Sequence, residues 1–116
     1  MNYSLAQIES MILKKRRQLV NEAELIIDEM YSCFISDKFF SFLGNMENLR
    51  TTLGKYTENL ALLKPENYKK QIRKVDAIFE LTDEILENIM NAEIVLVNEN
   101  LIEIMHAVQD FRCYYY

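Results

Sequence analysis

The chain has 116 residues, half of them hydrophobic and 27% charged, which is the size and composition of one globular domain and excludes a disordered chain. It contains only two glycines and one proline, where average usage would give about fourteen, so the many tight turns of a β fold are excluded and an all-α fold is predicted. The net charge of −5 argues against nucleic acid as the main partner.

The first predicted helix covers residues 5–35. Ser4 and Gln7 have the spacing of a capping box, which places the start of the helix directly after Ser4. Apolar residues then recur at helical spacing through the whole segment. Ser36 and Asp37 predict the end of this helix, with Asp37 as the N-cap of the next one.

The second predicted helix covers residues 38–63 and has the most regular pattern in the chain. Its apolar residues alternate between spacings of three and four, which is the a/d pattern of helices that pack at a shallow angle. They are Phe39, Phe42, Met46, Leu49, Leu53, Tyr56, Leu60 and Leu63. Phe40 and Leu43 widen the apolar stripe at its start, which predicts contact with two neighbouring helices there.

The third predicted helix covers residues 66–97 and begins just after Pro65, a residue suited to the first turn of a helix. The phase of the apolar pattern changes near its end, which leaves two alternatives. Either the chain breaks near Asn98–Asn100 and folds back as a last helical segment of about 100–114, or the helix continues. An unbroken helix would be about 72 Å long, against about 46 Å for the first helix, and a partner would have to cover the excess.

A second a/d pattern runs to the C-terminus, out of phase with the third helix. Its residues, which we predict to bind a partner or a second copy, are Ile94, Val97, Leu101, Ile104, Val108, Phe111 and Tyr115. The chain ends in three tyrosines, a residue type favoured at interfaces because it joins a large apolar ring to a polar tip. The alternative interpretation is that this seam is ordinary core.

The sequence contains no pattern for catalysis, metal binding or cofactor binding. Its only histidine, His106, has no glycine-rich loop or nucleophile beside it. Glu103 and His106 have the Glu-x-x-His spacing of helical di-iron sites, but such sites need two copies of the motif. A phosphate-binding glycine loop and a Cys-x-x-Cys pair are absent from the sequence. We therefore predict a protein that is not an enzyme and that uses no cofactor, metal or small-molecule substrate.

The sequence predicts a soluble, cytoplasmic protein. We expect no targeting segment, and no stretch approaches the ~18 uncharged residues of a membrane span. Cys33 and Cys113 are too few for a disulfide scaffold, so two free thiols are the default prediction, with a bridge left open.

Charge is distributed unevenly along the chain. Residues 1–36 carry a net charge of −1, residues 37–74 carry +4 and residues 75–116 carry −8. The acidic last third either attracts the basic middle third within the bundle or offers an acidic face to a basic partner. Lys14–Arg17 form a basic cluster, which we interpret as a solvated face, with phosphate contacts on RNA as the alternative.

Together these patterns predict a single all-α domain covering residues 1–116. It is an antiparallel bundle of three long helices plus a C-terminal helical segment, three or four helices in all, and a dimer is an open alternative. No internal repeat is evident. In general build it resembles secretion chaperones, flagellar export chaperones, bacteriocin immunity proteins and phage-encoded inhibitors.

The predicted function is non-enzymatic binding of another protein, or of a second copy, by helix packing. A chaperone, an adaptor and a complex subunit all fit this prediction. One alternative is an acidic inhibitor or immunity protein that blocks a basic partner. A second alternative is an RNA-binding helical dimer, although the acidity of the chain argues against nucleic acid as a partner.

Overall fold

The computed structural model describes residues 2–115, without the side chain of Tyr115. Within this range there are four α-helices and no strand, and the chain is 88% helical. The helices are α1 (Leu5–Ile35), α2 (Phe39–Leu62), α3 (Tyr68–Met90) and α4 (Ile94–Asp110), and a 3-10 helix, Phe111–Tyr115, follows α4. The predicted all-α bundle is confirmed, and α1 and α2 lie within one residue of their predicted bounds.

The capping box predicted at the start of α1 is present. The amide of Ser4 donates to Oε1 of Gln7 (2.8 Å), and the amide of Gln7 donates to Oγ of Ser4 (3.2 Å). Both bonds satisfy backbone N–H groups that the first turn of a helix leaves without an intrahelical partner. The first turn of α1 is therefore held helical by its own sequence.

Between α3 and α4 the chain reverses direction at residues 91–93, and α4 folds back on the bundle. The predicted break near Asn98–Asn100 is therefore wrong, as are the predicted bounds of 66–97 and 100–114. The alternative of one unbroken helix is also wrong. The second a/d pattern starts at Ile94 because α4 itself starts there.

The two hairpin turns, α1–α2 and α3–α4, have the same geometry. Asp37 and Ala92 both adopt left-handed backbone, with φ of 57° and 58°. In each turn the amide of the next residue donates back to a carbonyl of the preceding helix, that of Cys33 (2.9 Å) or that of Asn88 (2.8 Å). This is the Schellman ending of a helix, in which glycine is the usual left-handed residue. Asp37 thus ends α1, and the prediction that it caps α2 is wrong.

The two hairpins are structural repeats of each other, with buried positions that recur 55 residues later. In α1 and α2 these positions are Arg16, Val20, Ala23, Ile27, Met30, Phe42, Met46, Leu49, Leu53 and Tyr56, and their counterparts are Gln71, Val75, Ile78, Thr82, Ile85, Val97, Leu101, Ile104, Val108 and Phe111. All ten pairs are buried, yet only Val20 and Val75 have the same residue type. The repeat is therefore evident in the structure and not in the sequence.

The bundle is elongated, with extents of 53 × 27 × 20 Å. α1 packs against α2 and α4, and α3 packs against α4 and α2, so all four helices surround one core. Both hairpin turns lie at one end, which we call the tip. The α2–α3 connection and the end of α4 lie at the other end, which we call the base.

Buried polar side chains fix the helices near the base. Nε of the buried Arg16 donates to Oδ1 of Asn59 (2.7 Å), and Nη2 donates to the carbonyl of Leu63 (2.8 Å), so α1 is joined to the end of α2. The hydroxyl of Tyr56 donates to Oε1 of Gln71, which joins the two hairpins. Since buried donors and acceptors are costly unless paired, these bonds define how far each helix reaches along its neighbour.

Candidate protein-binding surface

The seam predicted to bind a partner is used mainly inside the chain. Five of its residues are at most 2% exposed and belong to the core: Val97, Leu101, Ile104, Val108 and Phe111. A partner could contact these five side chains only if the bundle opened. Ile94 is exposed at the tip, and the side chain of Tyr115 lies outside the described part of the chain.

Exposed apolar side chains cover the tip of the bundle. This apolar tip consists of Ile35, Phe39, Phe40, Met90, Ile94 and Val95. Phe40 is 86% exposed and Met90 is 79% exposed, so the prediction that Phe40 contacts a second helix of the bundle is wrong. Of this set, only Ile94 was predicted from the sequence to bind a partner. The signal that could have found the others is the repeated placement of apolar residues directly before and after each turn.

An apolar groove of about 330 Å³ opens at the tip between the two hairpins. Phe34, Phe39 and Phe42 line it from the first hairpin, and Ile89 and Ile94 line it from the second. The two matching turns bring these residues together because they hold the helix ends level with one another. Burial of apolar anchor side chains in such a groove is a common way for a protein to bind a helix.

Ionised side chains divide the bundle into two halves of opposite charge. The tip half (residues 24–51 and 79–106) carries twelve Asp or Glu residues and two Lys or Arg residues. The base half (residues 2–23, 52–78 and 107–115) carries six Asp or Glu residues and eleven Lys or Arg residues. The net charge is therefore −10 for the tip half and +5 for the base half. A surface with so much charge of one sign attracts partners of the opposite sign and repels those of the same sign.

The carboxylates of the tip half have too few cations to neutralise them within the chain. Arg50 donates to Asp83 (3.0 Å), the one ion pair confined to this half among the described residues, and Lys38 is the other cation. Glu24, at the boundary, pairs with Arg112 of the base half. The negative field therefore persists around the apolar tip, and dissolved salt screens it over about 8 Å at physiological ionic strength.

A further ion pair, Lys74 with Asp110 (2.8 Å), joins α3 to α4 in the base half. The hydrogen bond from Lys74 holds the pKa of Asp110 below its usual value, and the same bond raises the pKa of Lys74. Both side chains are partly or largely exposed. The pair is therefore a modest surface link between the helices.

The first turns of α1 extend beyond the base of the bundle. Residues 2–11 are all exposed, whereas Arg16 lies level with the end of α2, where it binds the carbonyl of Leu63. Leu5 and Ile8 continue the core-facing stripe of α1 at helical spacing, yet they are 74% and 42% exposed. We call residues 2–11 the overhang.

Basic side chains follow the overhang along α1. Lys14, Lys15 and Arg17 are exposed, but Arg16 is buried. The interpretation of Lys14–Arg17 as a solvated face is therefore wrong for Arg16, whose guanidinium holds the helices together. The overhang is thus an apolar helix end beside a basic surface.

A second apolar groove, of about 250 Å³, lies between α1 and α4. Its lining residues include the apolar Tyr31, Ile102 and Met105 and the polar Asp28 and His106. This groove belongs to the acidic half, and it shares no lining residue with the groove at the tip.

The reactive side chains are dispersed. His106 is exposed on α4, and both cysteines are free, with Cys33 buried and Cys113 exposed. In residues 2–115, no three His, Cys, Asp or Glu side chains lie close enough together to hold a metal ion. No helix in that range combines the length and the apolar character needed to cross a membrane.

Comparison with known proteins yields no family assignment: no protein-family model, curated protein or solved structure shows significant similarity to this chain. A functional assignment therefore has to come from the surface itself. The apolar tip, its acidic surroundings and the overhang are the features on which it rests.

Proposed function

We propose that this chain is a non-enzymatic protein-binding module, of the chaperone, adaptor or complex-subunit type, whose apolar tip packs against helices of another protein molecule. The observation that carries the proposal is the exposure of Phe40 and Met90 at the end of the bundle that also carries the excess of carboxylates. Clustered apolar surface at one place marks a binding site, because its removal from water drives association.

The sign of the charge favours a protein partner. An acidic surface repels the phosphates of nucleic acids and of anionic lipids. A protein helix with apolar anchors beside Lys or Arg side chains would satisfy both the groove and the carboxylates around it. The proposal includes a cytoplasmic location, where the free thiols of Cys33 and Cys113 would stay reduced.

A second candidate is an acidic inhibitor or immunity protein that masks a basic site on its partner. The excess of acidic residues in the tip half, twelve compared with two basic residues, favours this candidate. Salt distinguishes the two candidates. Attraction between exposed charges is screened by salt, whereas apolar packing is not weakened by it.

The RNA-binding alternative has less support. Of the four residues in the basic cluster, Arg16 is buried and hydrogen-bonded to Asn59 and Leu63, so a phosphate could reach only Lys14, Lys15 and Arg17. The RNA-binding alternative would be supported if the wild type retained nucleic acid and a variant substituted at these three residues did not.

Affinity capture from the native host tests the proposal, using tagged wild-type protein and two variants. Phe40→Glu places a charge on the apolar tip. Leu25→Glu is the matched control, because Leu25 is also a largely exposed apolar residue (69%, against 86% for Phe40) and lies on α1 away from the apolar tip. We expect one protein to co-purify with the wild type and with Leu25→Glu and to be lost with Phe40→Glu. Equal capture by all three proteins would contradict the tip as the binding surface.

Capture at high salt separates the two candidates. A partner that remains bound, even if less tightly, supports apolar packing by a chaperone, adaptor or subunit, because salt weakens only the charge attraction around the tip. A partner that is released completely supports the acidic inhibitor.

A further inference from the structure

We infer that the apolar tip takes the overhang of a second copy of this chain, so that copies associate head to tail. This inference rests on the proposed function, because it names the molecule that the tip binds. The two ends of the bundle differ in charge and in shape. The tip has an apolar groove in an acidic half, and the base has a projecting apolar helix end beside basic side chains.

Charge complementarity is the first argument. The tip half carries −10 and the base half carries +5, so the two ends attract each other while two tips, or two bases, repel. Lys14, Lys15 and Arg17 stand directly behind the overhang. When the overhang enters the tip groove, these side chains are brought towards the acidic half of the other copy, where the attraction between opposite charges is favourable.

The shape of the overhang is the second argument. Leu5 and Ile8 are spaced as successive anchors on one face of a helix, and Tyr3 and Met11 add further exposed apolar surface. The capping box of Ser4 keeps this helix formed before it binds, so little conformational entropy is lost on docking. A preformed apolar helix end is the kind of ligand that a groove between two hairpins accepts.

The geometry of the pairing has consequences for assembly. The two contacting surfaces are different patches of the same chain, so the contact is heterologous and every added copy presents a new free tip. The bundle is only 27 × 20 Å across, so its end offers less than the roughly 800 Å² per partner of a standard interface. The association is therefore reversible and grows with protein concentration.

Sedimentation equilibrium of the purified full chain tests the inference, with Leu5→Glu, Phe40→Glu and Leu25→Glu as variants. All three substituted positions are exposed, and unchanged far-ultraviolet circular dichroism and melting temperature verify that each variant folds. We expect the mean mass of the wild type and of Leu25→Glu to rise with concentration, and more steeply at low salt. Leu5→Glu and Phe40→Glu should each associate at least about tenfold more weakly, because a charge is placed in an apolar contact.

A mixture of the two weakened variants gives the sharpest result. Leu5→Glu keeps an intact tip and Phe40→Glu keeps an intact overhang, so an equimolar mixture should form one-to-one dimers and nothing larger. A wild type that stays monomeric at all concentrations overturns the inference. So does a mixture that stays monomeric, or a Leu5→Glu variant that associates like the wild type.

Failure of this inference can be told apart from failure of the proposed function. If the purified chain stays monomeric while Phe40→Glu still abolishes capture of a host protein, the tip binds a foreign partner and only the inference fails. If the purified chain associates with no dependence on Phe40, the inference is overturned, and the proposed function is overturned as well only if Phe40→Glu also leaves capture of the host protein unchanged.

Discussion

Asp37 and Ala92 occupy the same place in two turns of the same geometry, 55 residues apart, with φ of 57° and 58°. Each residue ends one helix in left-handed backbone and allows the next helix to start two residues later. The matching turns hold four helix ends level, and the apolar tip is formed by the residues on either side of them. The candidate binding surface is thus a direct consequence of the repeated turn.

Replacement of Ala92 by glycine should stabilise the protein. A residue with a Cβ costs roughly 1–2 kcal/mol in left-handed backbone, and glycine does not have this cost. We expect Ala92→Gly to raise the free energy of unfolding in urea by about 1 kcal/mol. Asp37→Gly should have a smaller effect, since aspartate tolerates this conformation better. A destabilising Ala92→Gly would contradict the turn geometry.

A charge at Leu101 should unfold the bundle. Leu101 is buried, whereas its neighbour Ile102 is exposed. Leu101→Glu should lower the free energy of unfolding by more than about 3 kcal/mol, because a carboxylate would be left unpaired in the core. Ile102→Glu should change it by less than about 0.5 kcal/mol. Retention of full helix content by Leu101→Glu, measured by circular dichroism, would show that the seam is not core.

Both glycines of α2 should be replaceable by alanine with a gain in stability. A Cβ at Gly44 or at Gly54 would meet no atom within 4 Å, and neither residue has positive φ. Each substitution should add up to about 1 kcal/mol to the free energy of unfolding, since alanine favours the helix. The check is the urea midpoint of Gly44→Ala, Gly54→Ala and the double variant. A loss of stability would mean that one of the sites is more crowded than the structure indicates.

Truncation of Arg16 should be much more costly than truncation of its exposed neighbour. Arg16→Ala leaves the Asn59 side chain and the Leu63 carbonyl without their guanidinium donor. We expect a loss of about 2–4 kcal/mol in the free energy of unfolding, because buried acceptors then lack partners. Lys15→Ala should cost less than about 0.5 kcal/mol. Similar losses in the free energy of unfolding for the two variants would contradict the buried hydrogen bonds of Arg16.

The link between Lys74 and Asp110 should make a small, pH-dependent contribution to stability. The pKa of Asp110 is lowered in the folded chain by the hydrogen bond from Lys74, so its contribution is complete above the unfolded pKa and is lost as pH falls through the folded pKa. Asp110→Asn should therefore lower the free energy of unfolding at neutral pH by at most about 1 kcal/mol. The difference from the wild type should vanish in acid. A difference that is constant from neutral to acidic pH would contradict the assignment.

The parts of the fold that were predicted correctly are those encoded locally. The capping box at Ser4 and the a/d pattern of α2 fix the start of one helix and the extent of another within a few residues of sequence. The turn at Ala92 is different, because alanine carries no preference for left-handed backbone. The backbone hydrogen bonds of the turn and the packing of α4 against α1 and α3 hold that residue in place, so the break was predicted several residues too late.

The candidate site was less predictable than the fold. An a/d seam shows that a helix packs against something, but it does not say whether that neighbour belongs to the same chain. This is why residues such as Leu101 were assigned to a partner and lie in the core. The excess of negative charge in the tip half could not be predicted from the sequence either, since residues 24–51 and 79–106 lie side by side only after both hairpins have formed.

Protection of the Met90 thioether from oxidation is the most direct test of the tip as a binding surface. Met90 is largely exposed in the free chain, while Met30 and Met46 are buried and serve as internal references. The oxidation rates by dilute peroxide can be compared by mass spectrometry between the dilute protein and the complex recovered from the host. We predict that Met90 is oxidised several times more slowly in the complex, whether the occupant is a foreign protein or a second copy. An unchanged rate at Met90 in the complex would contradict the account.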